Sequence, residues 1–181
     1  AAATGCPAFG AGYFLIPGSE SCIKLSGFVA YEGDYAQSAN TYGQDGYFRL
    51  ITETASNAEI GTVKTLARIN MSSGNTGSPN AAVASTNRAY VSFAGFTAGL
   101  DKSVSDISGV QAWQTSRPIG ITATTGLKYA ATVSGVTFTL AEENATADGS
   151  SNTYVVNRPD LSLKVAGKAG AVDYAVIGVS H

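Results

Sequence analysis

The side chains able to do chemistry are few, and most are charges spaced two apart among apolar neighbours. Lys24, Glu32, Arg49, Glu53, Lys64, Arg68, Lys128, Lys164 and Lys168 all fall in segments that alternate polar with apolar. Alternate residues of an extended strand share a face, so these ions line up opposite an apolar face. A dry core could not hold that many, because each unpaired buried charge is very costly; they need water. Such a face is either a soluble protein's exterior or the wall of a wide aqueous lumen. The single histidine, His181, is terminal, which leaves no His-based triad or metal cluster. No acid/base constellation stands out, and the chain reads as a non-enzyme. Two cysteines are too few for structural zinc, and neither metal nor cofactor is expected. Gly10-Ala11-Gly12 lacks the strand–turn–helix setting of a phosphate loop. Asn144-Ala145-Thr146 fits a glycosylation acceptor pattern and is read as chance. Glu142-Glu143, at a strand end, offers oxygen ligands to a cation, against the plainer reading of a solvated loop base.

The elements that position these charges are strands. No segment holds apolar residues at helical spacing together with caps, whereas period-2 alternation recurs throughout. From Cys22, residues Ile23, Leu25, Gly27, Val29 and Tyr31 share a face opposite Lys24, Ser26, Phe28, Ala30 and Glu32. Over 47–54, Phe48, Leu50 and Thr52 oppose Arg49, Ile51 and Glu53. Over 62–71, Val63 to Met71 oppose Lys64, Leu66, Arg68 and Asn70. Further strands are expected over 88–94, 96–103, 122–132, 136–141, 161–168 and 171–180, giving about nine. Long Gly-, Ser- and Asn-rich connections at 36–46, 72–87, 104–121 and 144–160 alternate with short ones near Asn57, Gly95, Ser134-Gly135 and Gly170. Alternate long and short connections mark an up-and-down outer-membrane barrel, with tight periplasmic turns and free external loops. A soluble sandwich has less reason to keep that rhythm.

Composition fits. Charged residues make up only 13%, against about 25% in soluble domains, while Gly and Tyr are abundant. No stretch approaches the roughly 18 apolar residues of a membrane helix, and no basic block suggests nucleic acid. The opening Ala1-Ala2-Ala3 suggests a mature protein released after a small-residue cleavage site. In an exported protein Cys6 and Cys22 read as one disulfide, closing residues 1–22 into an N-terminal segment of a single domain over 1–181; two unrelated buried thiols are the alternative. Tyr13, Tyr31, Tyr35, Phe93, Phe96 and Tyr129 are candidates for interfacial girdles, with packing between subunits as the competitor.

The segment GAGYFLIPGSESCIKLSGFV, residues 10–29, preceded by Cys6, resembles the alphaproteobacterial outer-membrane porin family in Gly10, Gly12, Tyr13, Phe14, Ile16, Pro17, Gly18, Ser19, Ser21 and Cys22. RAYVSFAGFTAGLD, residues 88–101, is similar to that family's fourth strand, tight turn and fifth strand. Glu59-Ile60-Gly61-Thr62 and Asn157-Arg158-Pro159-Asp160-Leu161 are weaker matches in the same order. The resemblance implies an all-β, antiparallel, up-and-down transmembrane barrel of sixteen strands, of which this chain is the N-terminal half. It implies a homotrimer in the bacterial outer membrane, in contact with lipid and lipopolysaccharide, passing small polar solutes and ions. It also implies a constriction loop over about 103–121, with Asp101, Asp106, Trp113 and Arg117 in or beside it, facing a basic wall of Arg49, Lys64 and Arg68, with Glu53 also lining the pore. Facing charges of opposite sign set a transverse field that screens solutes. The family is usually about twice as long and ends in an aromatic residue, not His181. The rival is a small outer-membrane barrel, filled by side chains and serving as anchor or adhesin. The excess of cations over anions on these strands argues against the tight internal pairing a filled lumen would need. A secreted carbohydrate-binding sandwich is a third reading.

Overall fold

Period-2 alternation produces what it predicts. The computed structural model describes residues 4–36, 40–72, 83–105, 123–144 and 159–180. A 3-10 turn, Pro7–Phe9, precedes ten strands: β1 Phe14–Leu15, β2 Cys22–Ala36, β3 Thr41–Ala58, β4 Gly61–Ser72, β5 Val83–Phe93, β6 Phe96–Asp101, β7 Thr124–Val133, β8 Val136–Glu143, β9 Asp160–Ala169 and β10 Val172–Ser180. They form one antiparallel sheet in sequence order, an all-β up-and-down fold. Nine are the strands expected from alternation; the tenth is the two-residue β1. Among the described residues no helix is long and apolar enough to cross a membrane. The chain divides into two compact units, Ala1–Ala89 and Tyr90–His181.

In the first unit, β2 pairs with β3 from Cys22↔Ala55 to Ala36↔Thr41, and β3 pairs with β4 from Ala58↔Gly61 to Tyr47↔Ser72. The expected long connection over 36–46 is corrected: strand pairing continues through Gly33, Asp34, Gln44, Asp45 and Gly46. With 15 and 18 residues, these strands exceed the roughly 9–11 needed to span a bilayer. The reason is that two strands already paired satisfy each other's backbone groups, so the ladder runs on through residues of poor strand propensity. Large apolar residues on the face opposite the charges are exposed, among them Leu25 at 62% and Val29 at 78%.

The second unit repeats the pattern. β7 pairs with β8 and β8 with β9, so that Gly126, Glu143 and Asp160 align on one row, and Lys128, Ala141 and Ser162 on the next. A two-residue turn fixes the β7–β8 register, and another joins β5 to β6. Ala94-Gly95 and Ser134-Gly135 hold both residues at positive φ, the type I′ geometry whose twist matches paired strands. At Gly95 a side chain would also meet the Ala130 carbonyl at 2.7 Å. One face carries Leu127, Tyr129, Phe138, Leu140, Leu161 and Leu163, all exposed; the other carries Lys128, Glu143, Asp160, Ser162 and Lys164. Phe93, Phe96 and Tyr129 meet as tilted ring pairs beside the Ala94-Gly95 turn, with centroids 5.8 and 4.7 Å apart. Tyr31 and Tyr35 are exposed.

Candidate functional site

The charged face of each unit holds a distinct set of contacts. In the first, antiparallel pairing puts Lys24 opposite Glu53 and Phe28 opposite Arg49, and on the other side Asn70 opposite Arg49 and Arg68 opposite Ile51. Lys24 Nζ lies 2.9 Å from Glu53 Oε1, and the Tyr13 hydroxyl donates to Glu53 Oε2 at 3.1 Å. The Arg49 guanidinium lies over the rings of Phe28 and Tyr47, 5.1 and 5.4 Å from their centroids. It donates to Asn70 Oδ1 at 2.9 Å and to the Tyr47 hydroxyl at 2.6 Å. Planar stacking and a fork of donors hold an arginine in one orientation, so Arg49 presents a fixed positive charge. Lys64, opposite Ala55, is exposed. Arg68 is half-buried. The four predicted pore-lining residues of this unit, Arg49, Glu53, Lys64 and Arg68, share this face.

In the second unit the centre is Glu143, only 4% exposed. Its carboxylate accepts hydrogen bonds from the Val104 backbone N–H at 2.8 Å, the Ser103 hydroxyl at 2.9 Å and the Ser162 hydroxyl at 3.2 Å. Lys128 Nζ is 4.0 Å from Glu143 and 3.4 Å from Asp101, and it also donates to the Lys102 carbonyl. Ser103 and Val104, just beyond β6, are both buried. Because Glu143, Lys128 and Ser162 all point to the charged face, the chain leaving β6 lies against that face. Asp101 is thus placed in a paired cluster at the strand end. Asp106, Trp113 and Arg117 lie outside the described residues.

Sequence reasoning missed Glu143 as an organising group, offering it as a cation site or a solvated loop base; its carboxylate is instead committed to protein donors. It also missed Ser103, Ser162, Phe28, Tyr47 and Asn70. Tyr13 was offered as a girdle residue; the structure buries it to 7% on the charged side, against Glu53. The turn-fixed register could have located Lys128 diagonal to Glu143, but Ser103 and Val104 are too distant in sequence to be found that way. Among the described residues no three His, Cys, Asp or Glu side chains gather as a metal site. Cys6 and Cys22 form a disulfide with 6.4 Å between Cα atoms.

Comparison with known proteins adds the family. The model of the porin subfamily matches residues 4–180. Porin Omp2b from Brucella suis biovar 1 is 35% identical over 112 residues, covering 54% of this chain and 31% of that protein. Porin Omp2b from Brucella melitensis biotype 1 matches equally, and that from Brucella canis at 33% over the same length. The match spans about a third of the length of these curated relatives. No solved structure matches significantly. With the family model covering nearly every residue of a sheet that is apolar on one face and charged on the other, the chain belongs to the alphaproteobacterial porin family and is a bacterial outer-membrane protein.

Proposed function

We propose that this chain builds part of a water-filled channel through which small hydrophilic solutes and ions diffuse passively. The carrying observation is the division of faces. Lys24, Arg49, Glu53, Lys64 and Arg68 share one face of β2–β4, while Leu25, Val29 and Ile69 lie exposed on the other. Exposed aliphatic rows suit lipid, and an ionic face on the same strands requires water behind it. The charged face is the lumen on this reading, and the short turns at Ala58–Gly61, Ala94-Gly95 and Ser134-Gly135 are periplasmic. The chain assembles as a homotrimer, bounded by lipid and lipopolysaccharide.

Residues 103–121 form the constriction loop on this reading. It is supported by the docking of Ser103 and Val104 on the charged face through Glu143, which directs the chain inward as it leaves β6. Arg49, Lys64 and Arg68 supply the basic side of the field, and Asp101, Asp106 and Arg117 belong to the loop side.

A second reading, a side-chain-filled barrel serving as anchor, draws on the pairing of Lys24 with Glu53 and of Lys128 with Asp101 and Glu143. The two readings part on conductance. Full-length protein in a planar bilayer gives discrete steps scaling with salt conductivity if the lumen is water-filled, and no steps if it is packed.

A further inference from the structure

The disulfide-closed N-terminal segment does not simply extend the sheet. Residues 4–6 and 13–15 pair as a small ladder beside β2, through Gly5↔Phe14 and Leu15↔Cys22, with Cys6 N–H donating to the Tyr13 carbonyl at 2.9 Å and Leu15 N–H to the Thr4 carbonyl at 2.8 Å. Cys6 is therefore two strands away from Cys22. In a flat sheet that is roughly 9.6 Å, twice the strand spacing, yet the Cα atoms are 6.4 Å apart. The segment has to curl towards the face on which the Cys22 side chain lies. That is the charged face, because Cys22 is in phase with Lys24 and opposite Ala55.

Contacts confirm the direction of the curl. Cys6, Tyr13, Cys22 and Ala55 form a buried cluster with Phe9 against it. The Tyr13 hydroxyl reaches Glu53, Lys24 lies over the Tyr13 ring at 5.7 Å from its centroid, and Lys24 Nζ bonds Glu53. All are at the end of β2–β3 nearest the Glu59-Ile60 turn. Pro7 and Ala8, at the tip of the lobe, are exposed.

We infer that the lobe of residues 4–22 is a fixed collar on the luminal wall at the periplasmic mouth, placed in the ion path and held there by the Cys6–Cys22 disulfide and the Tyr13–Glu53–Lys24 contacts. The inference rests on the channel reading, which makes the charged face the lumen. A rigid lobe in the path acts in series with any narrower point, so a charge placed on it acts on the passing ions.

Charge placed on the exposed tip tests this. Full-length protein carrying Ala8→Glu, and separately Ala8→Lys, is reconstituted in planar bilayers, and reversal potentials are measured across a potassium chloride gradient. Salt near 0.1 M keeps screening to about 10 Å. The expected result is opposite shifts, Ala8→Glu towards cations and Ala8→Lys towards anions, each changing the permeability ratio by about twofold, the size open to a charge within that screening length. In a Cys6→Ser/Cys22→Ser background both shifts shrink. Conducting channels whose selectivity ignores both charges overturn the collar and leave the channel reading standing. Shifts that survive removal of the disulfide overturn its part in holding the lobe. If even the unmodified protein carries no current, the channel reading falls, and the collar with it.

Discussion

The Val104 backbone N–H donates to Glu143 Oε1 at 2.8 Å, tying the first residues beyond β6 to the end of β8 on the charged face. Three donors and a nearby ammonium converge on that carboxylate. Removing one partner of a buried polar set leaves the others unsatisfied, at about 1–3 kcal/mol each. Glu143→Ala is therefore expected to lower the temperature at which the folded form converts to the unfolded band in detergent gels. It also frees Ser103–Ser105 from the wall, so single-channel conductance rises. Glu143→Gln, which keeps one accepting oxygen, falls between.

The basic residues of β3 and β4 supply a second prediction. Arg49 is fixed by Phe28, Tyr47 and Asn70, and shares its face with Lys64 and Arg68. Neutralising all three is expected to shift selectivity towards cations, read as a changed reversal potential across a salt gradient. An unchanged value would count against their lining the pore.

Closing the N-terminal segment has a thermodynamic consequence independent of conduction. Cys6 and Cys22 are 16 residues apart, a loop worth about 3 kcal/mol in the chain-entropy model. Cys6→Ser/Cys22→Ser is expected to lower the denaturant midpoint with little change in slope, measured by tryptophan fluorescence or gel shift.

Gly126 pairs with Glu143, and a Cβ there would lie 2.2 Å from the Glu142 carbonyl oxygen. Backbone has to move to admit it. Overpacking of this kind costs about 1–3 kcal/mol, so Gly126→Ala is expected to reduce the yield of heat-resistant folded protein on refolding into detergent. An unchanged yield would show the two strands can part there freely.

Much of this was legible in the sequence. Alternation around Lys24, Arg49 and Lys64 assigned both faces, and turns such as Ser134-Gly135 set the register that pairs Gly126 with Glu143. The β2–β3 ribbon was not legible, because Gly33, Asp34, Gln44, Asp45 and Gly46 carry loop-like propensities that pairing overrides. Nor was Glu143: its donors Val104 and Ser103 lie 39 and 40 residues away, where no local pattern reaches. Tyr13 was misplaced for a related reason, since only the curl imposed by the disulfide brings it over Glu53.

The central claim is that water fills the space behind the charged face. It is tested most directly by recording full-length protein in planar bilayers over a series of potassium chloride concentrations. The account predicts discrete steps whose size rises in proportion to bulk conductivity. A membrane that stays silent at every concentration, with folded protein inserted, would contradict it and favour a side-chain-filled anchor.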